Sequence, residues 1–135
     1  MDNEQHLPWA VTRQEFTREA SEVGESGACC VFIVDDSIPT RARTGYSALV
    51  MAYARSAEPV TVLTGGGAAL LIREGGTDAA RIAAARVIEQ AGKLGLEHTL
   101  RAGVAMLEGD VDAAILRARQ AAEGGPTGEV SPSSS

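Results

Sequence analysis

The sequence predicts an α+β fold built on an antiparallel four-stranded sheet. Short runs of apolar and β-branched residues, typical of buried strands, alternate with segments whose apolar residues recur at helical spacing. The segment order is helix, strand, helix, strand, strand, helix, strand and helix. The middle six segments form the split βαβ arrangement, βαββαβ. We therefore expect a ferredoxin-like palm with its helices on one face and an extra helix at each end.

The first segment is a helix with a clear start signal. Thr12 and Glu15 have the spacing of a capping box, in which each side chain satisfies a backbone N–H of the other residue. Phe16 and Ala20 recur on one face of the segment that follows. The pattern predicts a helix over 13–23.

The next segments alternate between buried strands and a helix. Residues 28–34 are apolar throughout, which is typical of a central strand buried on both faces. Apolar residues at helical spacing predict a helix over 46–57. Two short strands over 60–63 and 68–72 flank a run of three glycines, which predicts a β-hairpin.

The second half repeats this helix and strand order. Thr77 is the predicted cap of a long helix whose inward face ends at Leu94. The last predicted strand covers 98–106. Asp110 is the predicted cap of a final helix that reaches Ala122.

Composition and charge limit the domain organisation of the chain and the partners that it can bind. The 135 residues suit one domain, predicted over 12–123 after an arm over 1–11. A Gly, Pro and Ser-rich tail over 124–135 is predicted to be disordered. The formal net charge is −6 without a basic stripe, which argues against nucleic acid. A polar N-terminus and the absence of a membrane-length apolar run predict a cytoplasmic protein without a membrane partner.

The two cysteines, Cys29 and Cys30, are neighbours in the first predicted strand. Adjacent strand residues point to opposite faces, so a disulfide between them is not expected. We expect both to be small buried apolar residues in a reducing compartment.

Four places in the chain, taken in order, match motifs of one family. The segments are LPWAVTRQEF (7–16), VFIVDD (31–36), LTGGGAAL (63–70) and RAGVAM with DAAILRARQAA (101–106 and 112–122). They correspond to an opening D-x-L-T-x-L-x-N-R-R-x-F segment, a first strand ending in acidic metal ligands, a signature hairpin, and an S-x-G-V-A strand followed by a helix. The sequence thus resembles the GGDEF domain of diguanylate cyclases over about residues 5–123.

The signature hairpin departs from the family pattern. Its third and fourth positions in the family are acids that hold magnesium and help to activate the 3′ hydroxyl of GTP. Here they are Gly67 and Ala68, or Gly66 and Gly67 if the match shifts by one residue. Neither alignment supplies a carboxylate, and magnesium requires hard oxygen ligands.

The remaining family positions also lack the expected side chains. Asp35 and Asp36 are remnant acids at the end of the first strand. The one carboxylate of Asp35 does not replace the cluster of acids that the family uses to bind metal. The family's Phe-Lys-x-x-Asn-Asp stretch positions base and phosphate, but residues 38–45 contain no Lys, Asn or acid. The resemblance therefore implies a domain that is not an enzyme, with no catalytic residue, no bound metal and no cofactor.

A remnant ligand site is the second implication of the resemblance. Many GGDEF domains bind their product through an R-x-x-D motif before the hairpin, and Arg55 and Glu58 stand near that place. The planar guanidinium of arginine and the backbone N–H groups of glycine-rich loops are both suited to binding phosphate. The predicted ligand-binding residues are Arg55, Glu58, Arg41, Arg43, Gly65, Gly66 and Gly67.

Each of these residues also has a purely structural interpretation. Arg55 suits the dipole at a helix C-terminus. The glycines suit a tight turn. Arg41 and Arg43 balance the charges of Asp35 and Asp36, which are solvated at a strand end in this interpretation.

The VFIVDDS segment is also similar to the start of a response-regulator receiver. That interpretation requires a phospho-acceptor Asp at a later strand end and a Lys after a late strand. Asp78 opens a predicted helix and Lys93 lies inside one, so the requirements are not met.

Two functions from different classes follow. The first is a catalytically inactive GGDEF-like domain that acts as a regulatory or protein-interaction module and binds a protein partner or a second copy of itself. The alternative is a receptor for cyclic di-GMP or GTP. If the resemblance is coincidental, the chain is another ferredoxin-like binding domain, again without catalysis.

Overall fold

The computed structural model describes residues 11–35, 37–39, 45, 59–63, 67–108 and 110–132. The helix predicted over 46–57 lies outside these residues. The helices are α1 (Arg13–Val23), α2 (Gly76–Lys93) and α3 (Val111–Gly124), with short 3-10 turns at Gly24–Ser26 and Glu97–Thr99. The strands are β1 (Ala28–Val34), β2 (Val60–Val62), β3 (Ala68–Ile72), β4 (Leu100–Met106) and β5 (Val130–Pro132).

The strands form one sheet in the order β2-β3-β1-β4-β5. The first four strands pair antiparallel, as the sequence predicts, with Phe32 of β1 opposite Ala68 of β3 and Ala102 of β4. The α+β prediction is confirmed. The sheet is mixed and has five strands, however, because β5 pairs parallel with β4.

The fifth strand corrects the prediction of disorder for residues 124–132, whereas residues 133–135 lie outside the described part of the chain. Val130 lies opposite Ala102 in β4 and packs against the core. The N–H of Gly128 donates a hydrogen bond to the carbonyl of Leu100 at 2.8 Å. Backbone pairing with β4 orders this segment, and its Gly and Pro-rich composition does not reveal that partner.

Helices cover both faces of the sheet: α2, a helix of the predicted palm, covers one face, and the two extra helices, α1 and α3, cover the other. Cys30 and Phe32 of β1 belong to the cluster under α2. Cys29 and Val31 belong to the cluster under α1 and α3. Because β1 is apolar at every position, both of its faces require a cover.

The ends of α1 follow the sequence signals closely. The Thr12 hydroxyl accepts a hydrogen bond from the Glu15 N–H at 3.1 Å, and the Glu15 carboxylate accepts one from the Thr12 N–H at 3.3 Å.

The start of α2 does not follow the signal that the sequence gives at Thr77. Gly75, with φ of 95°, precedes the helix instead of Thr77, because its left-handed backbone turns the chain directly into the first helical turn. Leu94, predicted to face inward, is 60% exposed because it follows the last helical residue.

The two cysteines are buried and free, as the sequence predicts. The Cys30 thiol donates a hydrogen bond to the Ala80 carbonyl of α2 at 3.1 Å. Burial raises the pKa of the Cys29 thiol from 9.0 to about 12.

Within the described ranges, none of the helices combines the length and the apolar character needed to cross a membrane.

Candidate functional site at the end of β1

Asp35 is the first residue after β1 and is held by both backbone and side chain. Its N–H donates a hydrogen bond to the Thr99 carbonyl just before β4, at 2.9 Å. Its Oδ2 accepts hydrogen bonds from the N–H and the hydroxyl of Ser37, at 3.1 and 2.6 Å. This Asx-type turn fixes the carboxylate at the edge where β1 ends and β4 begins.

Arg101 is the charged neighbour of this carboxylate. Its Nη1 lies 3.5 Å from Oδ1 of Asp35, and its Nε donates a hydrogen bond to the Gly125 carbonyl at 3.2 Å. The Arg101 and Asp35 side chains are only 31% and 30% exposed. The pair therefore links the end of β1, strand β4 and the connection between α3 and β5.

Sequence reasoning missed Arg101. It stands two residues before Gly103, where the S-x-G-V-A motif has Ser. An arginine inside the otherwise apolar strand LRAGVAM is the signal that could have identified it, because charged side chains in buried strands are rare without a partner.

Gly67 lies directly before β3, at the same end of the sheet as Asp35. Its carbonyl accepts a hydrogen bond from the Leu63 N–H at 2.9 Å, which joins the two sides of the hairpin. A Cβ at this position would lie 2.1 Å from the Phe32 carbonyl oxygen of β1. The close backbone approach requires glycine, so no acidic side chain fits here without movement of a strand.

Ala68, the other hairpin position of interest, is fully buried in the α2 cluster. A carboxylate in its place would be desolvated inside the core instead of facing Asp35. Both residues that replace the acids in the first alignment are therefore packing residues in this structure.

The structure brings two of the predicted site residues, Asp35 and Gly67, to one edge of the sheet. This follows from pairing, because the end of β1 lies beside the beginning of β3. The other predicted residues lie outside the described part of the chain, so their roles stay predictions. They are Asp36, Arg41, Arg43, Arg55, Glu58, Gly65 and Gly66.

The described part of this edge does not fit a magnesium ion. No group of three or more His, Cys, Asp or Glu residues comes together among the residues that the structure covers. Asp35 has the Ser37 hydroxyl on Oδ2 and the Arg101 guanidinium 3.5 Å from Oδ1. A dication there would meet the fixed positive charge of the Arg101 guanidinium, 3.5 Å from Oδ1 of Asp35.

A second concave surface lies between α2 and β5. This groove has a volume of about 470 Å³. Its lining combines apolar and charged side chains: Arg81, Ala85, Ile88, Glu89, Gly128, Glu129 and Val130. Its volume falls in the range of small-molecule pockets.

Comparison with solved structures identifies the architecture. The GGDEF domain of YfiN from Pseudomonas aeruginosa matches with a TM-score of 0.71 and 18% identity, over 96% of this chain and 99% of that one. The coiled coil and GGDEF domain of DgcB from Caulobacter crescentus, in complex with c-di-GMP, matches with a TM-score of 0.71 and 15% identity, over 92% and 82%. The chain has the GGDEF fold.

A third GGDEF-fold match is the diguanylate cyclase SiaD, in complex with its activator SiaC, from Pseudomonas aeruginosa. It has a TM-score of 0.66 and 14% identity, over 98% of this chain and 63% of that chain. No family model and no curated protein matches the sequence. At these identities the comparisons show the GGDEF fold and nothing about chemistry.

Proposed function

We propose that this chain is a catalytically inactive domain of the GGDEF fold that acts by binding a protein, as a regulatory or interaction module. The observation that carries the proposal is Gly67. A Cβ there would lie 2.1 Å from the Phe32 carbonyl oxygen, so the backbone is packed where a hairpin acid would be required.

The charges near Gly67 support the same proposal. Phosphoryl transfer depends on metal ions that neutralise the charge developing on the phosphates. The described edge offers the Asp35 carboxylate, and a guanidinium already lies 3.5 Å from it. This arrangement of charges is suited to stabilising the fold or to binding a partner, and not to metal-dependent phosphoryl transfer.

Exposed apolar side chains support a protein partner. Ile82 and Leu94 of the α2 region are 66% and 60% exposed, and Leu116 of α3 is 54% exposed. Such apolar side chains become stabilising when a partner or a second copy covers them.

The catalytic half of the proposal is tested by incubation with GTP and Mg²⁺ or Mn²⁺, followed by mass spectrometry for cyclic di-GMP. An active diguanylate cyclase assayed in parallel is the positive control. We expect no product above the level of a reaction without protein. Any product that scales with the concentration of this protein would contradict the proposal.

The binding half is tested by sedimentation velocity across a concentration series, comparing the protein with Ile82→Glu. If the partner is a second copy, association should rise with concentration and weaken in the variant. If the protein stays monomeric, a defined partner captured by the protein but not by Ile82→Glu would support the proposal. Failure of both measurements would contradict it.

The alternative proposal is a receptor for cyclic di-GMP or GTP that uses Arg55, Glu58, Arg41, Arg43 and Gly65–Gly67. The domain of DgcB in complex with c-di-GMP is the observation that favours it. A ligand at 100 times its Kd stabilises a fold by about 2.7 kcal/mol. A thermal shift with cyclic di-GMP that disappears in Arg55→Ala would establish the receptor and overturn the interaction module.

A further inference from the structure

Arg101 connects three separate parts of the fold through one side chain. Its backbone belongs to β4, opposite Ile33 of β1. Its Nη1 lies 3.5 Å from Asp35, and its Nε donates to the Gly125 carbonyl at the end of α3. A planar guanidinium with donors on two sides is suited to joining a carboxylate and a carbonyl at once.

The position of Arg101 also sets the charge of this edge. Asp35 is 30% exposed, so water alone screens its carboxylate incompletely. Ser37 donates to Oδ2, and the Arg101 guanidinium lies beside Oδ1. The guanidinium thus places a fixed positive charge beside the half-buried carboxylate.

We propose that Arg101 is a permanent counter-ion that takes the place of a divalent cation at the end of β1. Its guanidinium neutralises Asp35, and through Gly125 it ties that edge to the connection that leads into β5. This end of the sheet is therefore assembled without metal, and a dication is excluded by a charge belonging to the chain itself.

The proposal is tested with Arg101→Ser, measured by thermal unfolding in EDTA and in Mg²⁺ or Mn²⁺. The original protein should melt at the same temperature in all three conditions. Arg101→Ser should melt lower in EDTA, and a dication should raise its Tm by about 2 to 4 °C. The double variant Asp35→Asn with Arg101→Ser should lose that response, because the carboxylate is removed.

Arg101→Lys is the matched control because it keeps the charge and loses the planar fork. It should stay insensitive to dications, although it should melt below the original protein. A cation response equal to that of Arg101→Ser would show that charge exclusion is not the mechanism, and would overturn the proposal.

A measurement on the unaltered protein covers the case in which the variants fail to fold. Mn²⁺ broadens the NMR signals of nearby nuclei, so the amides of Asp35, Ser37 and Arg101 report any bound ion. We expect these signals to broaden no more than those of exposed acids elsewhere. Selective broadening at Asp35, or an Arg101→Ser variant that folds but does not respond to dications, would overturn the proposal.

Discussion

Two glycines, one directly before β3 and one inside β4, are required by close backbone contact and not by unusual dihedral angles. A Cβ on Gly67 would lie 2.1 Å from the Phe32 carbonyl oxygen, and one on Gly103 would lie 2.0 Å from the Ala118 carbonyl oxygen of α3. Backbone atoms cannot yield as a flexible side chain does. Both positions therefore resist any larger residue.

The first prediction concerns Gly67→Asp, which restores an acid to the hairpin. We expect the free energy of unfolding, measured in urea, to fall by about 1 to 3 kcal/mol because the new Cβ overpacks against β1. No cyclase activity should appear with GTP. Gly124→Ala is the control, since nothing lies within 4 Å of its Cβ, and it should be nearly neutral. Equal stabilities of the two variants would refute the packing argument.

Cys29 gives the structure a pH dependence with a definite sign. Burial raises the pKa of this thiol from 9.0 to about 12, and the nearby Arg117 opposes the shift. In the unfolded chain the thiol ionises near pH 9, whereas in the folded chain it stays protonated. Between these values the native state binds more protons than the unfolded state, so stability falls as the pH rises.

The second prediction follows from this sign. The Cys29 contribution to the unfolding free energy should fall by at most about 1.4 kcal/mol per pH unit above pH 9. Urea unfolding at several pH values, compared with Cys29→Ala, isolates this contribution. Indistinguishable pH slopes for the two proteins would show that the thiol is not the titrating group.

At the scale of elements, α1 is held mainly by its cap and its apolar face. Phe16 and Ala20 are buried against the rest of the fold. The side chains of Glu19 and Arg73 form an ion pair. A second ion pair, Arg13 to Asp112 at 2.8 Å, has side chains 46% and 65% exposed.

The third prediction compares the cap with the exposed ion pair. Thr12→Ala should lower stability by about 1 kcal/mol, because an N-terminal N–H of α1 loses its acceptor. Arg13→Gln should change it by less than about 0.5 kcal/mol, because exposed ion pairs contribute little. Urea midpoints measure both, and a larger loss in Arg13→Gln would reverse this ranking of the contacts.

Sequence predicted those elements whose signals are local. The capping box at Thr12 and the apolar run from Ala28 to Val34 gave the bounds of α1 and β1 that the structure has. The contact between Arg101 and Asp35 depends on pairing between β1 and β4, and no local pattern encodes it. For the same reason β5 was wrongly predicted as disordered, since Val130 gains its order from β4.

At the scale of the whole molecule, β5 is the outermost strand of the sheet and covers the side of β4 that does not pair with β1. It pairs with Ala102–Val104 of β4, and the preceding Gly128 satisfies the Leu100 carbonyl. Val130 packs against the α2 cluster. Removal of β5 would expose both apolar surface and an unpaired strand edge.

The fourth prediction is a truncation after Thr127. It should lower the free energy of unfolding by about 2 to 4 kcal/mol, through lost strand pairing and lost burial of Val130, and it should promote aggregation. Glu129→Gln is the control, because this exposed side chain can lose its charge without loss of β5. Equilibrium unfolding and light scattering measure the two effects, and a truncated chain as stable as the control would contradict the role given to β5.

The covering of both faces of β1 affects how the chain selects its strand alignment during folding. In a sheet with one wet face, a slip by one residue exposes apolar side chains, and that penalty rejects the wrong alignment. A slipped β1 would keep its side chains buried, because both of its faces are covered. In β4, however, a one-residue slip would bring Ala102 or Val104 to the place of Gly103, where the Ala118 carbonyl leaves no room for a Cβ. Steric fit between backbones, more than the alternation of polar and apolar residues, thus favours the native strand alignment over alignments that are slipped by one residue and still bury their apolar side chains.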